Sequence, residues 1–192
     1  MTSKEAQSIV LLSGGIDSTL CVHLLKNRGD SVRCMFVDFG QSACTREAAA
    51  ARAVTDHYCV DLQTIRLDTG RNFSTGEILG RNAFLVFTAL VSSGFAAGKI
   101  VLGIHQGTQY FDCSAAFASS LDVLLSEHSD GTVRLGTPIL KWNKSEIFEY
   151  CKREGVPIWK TYSCEFGTQP SCGKCRSCLD RLGIDASTEA LS

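Results

Sequence analysis

Two short stretches carry residues whose types and spacing suit chemistry. The first is Ser13-Gly14-Gly15-Ile16-Asp17-Ser18. Its two glycines let the backbone turn tightly and approach an anion with no Cβ in the way. Ser13, Ser18 and Thr19 add hydroxyl donors, and Asp17 suits either holding the turn or helping to place Mg²⁺. The second stretch is Cys164, Cys172, Cys175 and Cys178, spaced C-x7-C-x2-C-x2-C. Each C-x2-C step lets two thiolates bind one ion from a tight knuckle, and Gly173 relieves the crowding in the first. Four soft sulfurs with no histidine in register suit tetrahedral Zn²⁺ in a closed, structural site. An iron–sulfur cluster is a second reading of four cysteines, and a metal-free segment a third.

An anion loop works only if the chain aims it. The apolar run Ser8-Ile9-Val10-Leu11-Leu12 precedes the glycines and the amphipathic run Thr19 to Leu25 follows them. A buried strand, a glycine-rich turn and a helix together make the phosphate site of many α/β proteins. Free amides of the helix's first turn point at the anion, and the dipole adds roughly half a positive charge. The lysine and spacing of a Walker A loop are missing. The alternative is a tight strand–helix turn without a ligand.

Further strands are expected at 31–37, 62–67 and 99–104, and a short edge strand at 132–135. Helices are expected at 45–58, 82–97, 112–128 and 143–154, the last stopped by Gly155. In the helix over 82–97 apolar residues cover most of the circumference, which predicts burial on most sides. Asp38-Phe39-Gly40-Gln41 falls at the carboxyl edge where such sheets place ligands. The loop 68–80 is expected to lie over the site. The alternation implies an α/β fold, a doubly wound parallel sheet with a small C-terminal four-cysteine knuckle. Residues 1–160 are expected to form the nucleotide domain, 161–184 its metal-binding segment and 185–192 a mobile polar tail.

With 19 Lys+Arg against 20 Asp+Glu, the chain lacks the basic excess of a nucleic-acid binder. No apolar run approaches the ~18 residues of a membrane span. Ten cysteines behind a polar start, Met1 to Gln7, predict reduced thiols in a cytoplasmic protein. Cys21, Cys34 and Cys151 fall on apolar faces, as small buried hydrophobes do.

The Ser13–Ser18 stretch matches every fixed position of SGGxDS, the pyrophosphate-loop signature of the adenine-nucleotide α-hydrolase-like families. Those enzymes split ATP between its α and β phosphates and adenylate a substrate. Loop and cysteine knuckle together resemble the QueC family of 7-cyano-7-deazaguanine synthases, over about residues 8–184. Supporting matches are Asp38-Phe39-Gly40-Gln41, Gly80-Arg81-Asn82, Tyr110-Phe111-Asp112-Cys113, and Thr137-Pro138 with Lys144 and Glu146. Ser163-Cys164, the run Cys172 to Cys178 and Arg181 complete them.

The resemblance implies that ATP adenylates the carboxylate of 7-carboxy-7-deazaguanine and that ammonia displaces AMP to give an amide. A second adenylation then dehydrates the amide to the nitrile. It implies that Ser13, Gly14, Gly15, Asp17 and Ser18 hold the pyrophosphate with Mg²⁺, with Leu12, Ile16 and Thr19 completing the nucleotide stretch. Met35 and Val37 would border the adenine. Arg81 and Lys144 would neutralise phosphate charge and, with Asp17 beside the Mg²⁺, form the catalytic set, and Gln41, Asn82, Tyr110 and Asp112 would face the deazaguanine. Cys164, Cys172, Cys175 and Cys178 would bind zinc.

Each has a plainer reading: Lys144 a solvated residue at a helix start, Arg81 a cap or salt bridge, Asp112 an N-cap, His105 an exposed loop histidine. The chain departs from the family where Ser42-Ala43 replaces the usual Arg-His, Phe111 a proline and Ser114 an arginine, and where the loop before Tyr110 is shortened. These changes leave open a second reading, a QueC-like enzyme of antiviral defence that joins the deazaguanine to a protein amine. A tRNA-modifying thiolase and a non-catalytic nucleotide-binding module are the remaining readings. Family members are often homodimers, which sets the expectation of a possible homodimer here.

Overall fold

The computed structural model describes residues 7–189 apart from 74, 75 and 95. Five strands, β1 (Gln7–Leu11), β2 (Ser31–Asp38), β3 (Leu62–Arg66), β4 (Gly98–Val101) and β5 (Val133–Gly136), form one parallel sheet in the order β3-β2-β1-β4-β5. Six helices accompany them: α1 (Ile16–Asn27), α2 (Cys44–Tyr58), α3 (Arg81–Ser92), α4 (Ala115–His128), α5 (Lys144–Arg153) and α6 (Arg176–Glu189). Near-continuous apolar runs in β1 and β2 suit strands buried on both faces. Val10, Leu12, Cys34 and Phe36 pack with α1, α2 and α5 on one face. Ile9, Leu11, Met35 and Val37 pack with α3 and α4 on the other. The strand order reverses between β1 and β4, so the connections leaving their carboxyl ends diverge and open a crevice.

Two helices differ from expectation, for identifiable reasons. The one expected over 82–97 stops at Ser92, because Gly94 follows the C-cap in the left-handed region (φ +58°) that ends helices. Only one of its faces is enclosed: Asn82, Val86 and Ala89 are buried, whereas Val91 is 81% exposed. The one expected over 112–128 splits into a single 3-10 turn, Phe111–Cys113, and α4. Its N-cap is Ser114, whose Oγ accepts from the Phe117 amide at 3.1 Å, and not Asp112. Ser114→Ala should lower unfolding free energy by about 1 kcal/mol in a denaturant titration. At α5 the Asn143 side chain and Glu146 form a reciprocal capping box.

After α5 come a 3-10 turn, Ile158–Lys160, the cysteine segment and α6. The helical backbone of α6 reaches Glu189, through the first residues of the tail expected to be loose; residues 190–192 and 1–6 lie outside the described residues. Among the described residues, no helix is long and apolar enough to cross a membrane.

Candidate functional site: a glycine loop walled by a cysteine knuckle

The loop leaving β1 is shaped by its contacts with two distant segments. Gly14 has φ +80°, and a Cβ there would stand 2.5 Å from the Glu47 carbonyl oxygen and 3.0 Å from the Ala50 Cβ. The loop therefore lies directly on the first turns of α2. On its other side the Gly14 carbonyl accepts from the Tyr162 amide at 2.9 Å. Ser13 Oγ accepts from the Gly15 amide at 3.3 Å and lies 3.2 Å from Ser18 Oγ. Gly15 is the N-cap of α1 and provides no side-chain cap, so the first-turn amides are open to an anion, beside Asp17. Thr19 is buried, and its hydroxyl donates back to the Gly15 carbonyl at 2.8 Å. It braces the turn and, contrary to expectation, does not present a donor to a phosphate.

Loop, sheet edge and C-terminal segment enclose a cavity of about 430 Å³ at the crevice. Lys144, in the first turn of α5, reaches across and donates to both Asp17 oxygens, at 3.0 and 2.8 Å. It is not merely a solvated residue. His105 is only 5% exposed, with Nε2 3.7 Å from Asp17 Oδ2 and Nδ1 against the Gln106 carbonyl. The expectation of an exposed loop histidine is corrected: the chain after β4 turns His105 inward onto Asp17. The Asp17–Lys144 pair is partly exposed, so it contributes at most about 1 kcal/mol to stability. Its value is positional, since it fixes a cation and a carboxylate at the mouth of the amide-lined turn.

Met35, Val37, Gln41, Arg81, Asn82 and Tyr110 also line the cavity. Gln41 donates to the Val37 carbonyl and to Glu47 Oε2, both at 3.1 Å, and accepts from the Phe39 amide at 3.0 Å. It thus locks the exit of β2 and positions Glu47, a wall residue that sequence reasoning missed. Burial pushes the Glu47 carboxyl up, opposed by the Gln41 hydrogen bond and the Arg81 charge. The folded chain binds that proton more tightly than the unfolded one. Glu47's contribution to stability is therefore complete below the ordinary glutamate value, about 4.3, and is lost as pH rises through the raised native value. Glu47→Gln should accordingly unfold at a higher temperature than the parent at pH 7, in paired melts at pH 4 and 7, with the gap closing at pH 4.

Arg81 Nε donates to Asn82 Oδ1 at 3.3 Å. Asn82 donates in turn to the Asp112 carbonyl at 2.9 Å, and its amide faces Asp112 Oδ2 at 3.4 Å. Asp112 is buried behind this wall and does not line the cavity, so what it does is hold Asn82. Ser114, one of the departures from the family pattern, is a helix cap rather than a cavity residue.

The four cysteines converge. Cys164, Cys172, Cys175 and Cys178 place their sulfurs within 4.8 Å of one another. A tetrahedral zinc with bonds of about 2.3 Å needs sulfurs about 3.8 Å apart, and Cys172 and Cys178 are separated by 3.9 Å. The Cys172 amide faces Cys164 Sγ, and the Lys174 and Cys175 amides face Cys172 Sγ, each at 3.4 Å. Such N–H donors stabilise thiolates and orient them toward a metal. Against the upward effect of burial, the Cys172 amide and the Thr168 hydroxyl bring the Cys164 thiol down to about 5. The donor set fits one zinc ion.

The sequence did not reveal that this segment also walls the cavity, with Tyr162, Ser163, Glu165, Ser177 and Arg181. Arg181 clamps it by donating to Thr161 Oγ1 at 3.0 Å and to the Ile158 carbonyl at 2.9 Å. Gly167 approaches so closely that a Cβ there would lie 2.5 Å from the Ser42 carbonyl. Arg181 in the resemblance was the one available hint.

The family described as Queuosine biosynthesis protein QueC matches residues 7–81 and 77–184. The chain is 29% identical over 207 residues to the 7-cyano-7-deazaguanine synthase of Sulfurihydrogenibium, covering 93% of both chains. It is 31% identical over 206 residues to that of Prochlorococcus marinus, covering 92% of both. Among solved structures, the NH3-dependent NAD synthetase of Campylobacter jejuni superposes with a TM-score of 0.51 at 16% identity, over 84% of this chain and 72% of that one. That likeness shows a shared fold. Family match and relatives both span nearly the whole chain, glycine loop and cysteine knuckle included: the chain belongs to the QueC family.

Proposed function

We propose that the protein adenylates the carboxylate of 7-carboxy-7-deazaguanine with ATP and amidates it with ammonia, giving 7-cyano-7-deazaguanine by way of the amide. The observation that carries this reading is the open amide turn after β1 with the Asp17–Lys144 pair at its mouth, in a chain of the QueC family. A carboxylate is a poor electrophile, and its mixed anhydride with AMP is a good one. The protein's share is then positioning and charge stabilisation.

In this reading the pyrophosphate of ATP lies on the turn from Ser13 to Ser18, against the first-turn amides of α1. Lys144 and Arg81, both lining the cavity, offset the charge that develops as the α–β bond breaks. Met35 and Val37 border the adenine. Asn82, held by Asp112, and Tyr110 flank the deazaguanine. Asp17 offers the hard oxygen ligands that suit Mg²⁺, and that ion, when bound, neutralises phosphate charge.

Lys144→Met should lower acid-dependent pyrophosphate release by about 10²–10³-fold, as loss of one charge-stabilising donor does. Its melting temperature should move little. The function itself is tested by mass spectrometry of products formed from ATP, Mg²⁺, the acid and ammonium. Nitrile is expected. A reaction that ends at the amide, or that needs a protein amine as acceptor, would contradict the reading.

A further inference from the structure

The amidation step requires a base, because ammonia must shed a proton as its nitrogen bonds to carbon. The cavity and its wall carry several candidate carboxylates and a histidine, and Glu47, held by a single hydrogen bond from Gln41, is the least engaged of them. Asp17 is ion-paired with Lys144. Asp112 lies behind the wall and holds Asn82. Glu165 accepts from the amide and the hydroxyl of Ser177, capping α6, and Asp180 pairs with Arg176. His105 is confined between the Gln106 carbonyl and Asp17.

Glu47 lines the cavity, and among the described residues it has no ion pair within 4 Å. Its Oε2 is held by Gln41, and its Oε1 accepts no hydrogen bond from the described residues. It stands in the first turn of α2, whose backbone touches the glycine loop, so its carboxylate is anchored beside the place where the phosphates would sit.

We propose that Glu47 is the general base of amidation, taking the proton of the attacking nitrogen. The assignment rests on the adenylation reading above. The nitrogen lone pair forms the C–N bond, and Glu47 Oε1 takes one N–H proton. The carbon–oxygen bond to AMP breaks, and AMP leaves with that electron pair. Glu47 then gives its proton to solvent. Burial raises the Glu47 carboxyl, which makes its carboxylate a stronger base than an exposed one. Gln41 is the positioning residue, since its amide fixes the rotamer of Glu47.

The test separates two half-reactions in the full-length protein. Acid-dependent exchange of labelled pyrophosphate into ATP reads adenylation, and ammonium-dependent amide formation reads the second step. Glu47→Gln keeps an acceptor for Gln41 but removes the base. It should lower amide formation by about 10²–10⁴-fold, far more than it lowers exchange. Glu47→Asp, with its carboxylate withdrawn, should show the same split to a smaller extent. Amide formation unchanged in both variants, or exchange and amide formation falling by the same factor, would overturn the assignment. Absence of exchange in the parent protein would instead overturn the adenylation reading, and the role of Glu47 with it.

Discussion

Gly14→Ala should abolish ATP-dependent turnover and lower unfolding free energy by about 2–5 kcal/mol, the sum of left-handed backbone strain and overpacking. Two independent faults meet at this position. The backbone sits at φ +80°, and the new methyl would lie 2.5 Å from the Glu47 carbonyl and 3.0 Å from the Ala51 amide nitrogen. Neither neighbour can yield easily, because both belong to the backbone of α2 rather than to flexible side chains. The loop would have to lift from α2, moving Ser13, Gly15 and the open amides away from the nucleotide. Gly29→Ala is the matched control: φ is +82° there, but no atom lies within 4 Å of the added carbon. It should lose only the backbone part, about 1–2 kcal/mol, and retain activity. Denaturant midpoints and nucleotide affinities of the two variants separate clash from strain.

Removal of the proposed zinc, or Cys175→Ser, should have a still larger effect on the C-terminal segment by a different route. The cluster beneath this segment contains Cys164, Cys175 and Cys178, with Tyr162 and Cys172 packed against them, and so has little apolar core beyond its own sulfurs. Structural zinc in finger peptides is worth about 10–16 kcal/mol of apparent binding free energy, which becomes folding free energy. Without it, residues 161–182 should lose amide protection in hydrogen exchange. The loss extends to the candidate site, because the Tyr162 amide ties down the Gly14 carbonyl and Arg181 lines the cavity wall. ATP affinity should therefore fall together with segment order. Chelated protein that melts and binds ATP like the parent would refute this coupling. Metal analysis should find one zinc per chain.

How much of this was legible in the sequence depended on the range of the interaction. The β1–loop–α1 unit was legible because all its determinants are local: an apolar run, two glycines and an amphipathic continuation. The cysteine site was legible because ligand spacing is local too. Lys144 and Asp17 stand 127 residues apart, and no periodicity reports that α5 brings one to the other. Thr19 reads as a phosphate donor until Gly15's carbonyl is seen to take its hydroxyl. Asp112 and Ser114 are both good caps, and only the backbone, extended at Ser114, decides between them. The apolar circumference of α3 suggested enclosure, but α3 lies over a single face of the sheet, leaving Val91 in solvent. The docking of the cysteine segment against Gly14 and Ser42 relies on close backbone approaches that glycine permits and no pattern announces.

Among the positions where the chain departs from its family, the structure separates different roles. Ala43 is buried and the Ser42 carbonyl lies against Gly167 while Ser42 itself is exposed, so the cysteine segment packs on only part of the place of the usual Arg-His pair. Phe111 is 66% exposed beside the half-open Tyr110, which lines the cavity.

The central claim is that the acid's own oxygen becomes bonded to the α-phosphorus of ATP. Incubating the protein with ATP, Mg²⁺, ammonium and the acid labelled with ¹⁸O in both carboxylate oxygens tests it directly. The account predicts AMP carrying one ¹⁸O and pyrophosphate carrying none. ADP and phosphate as products, or AMP without label, would contradict it.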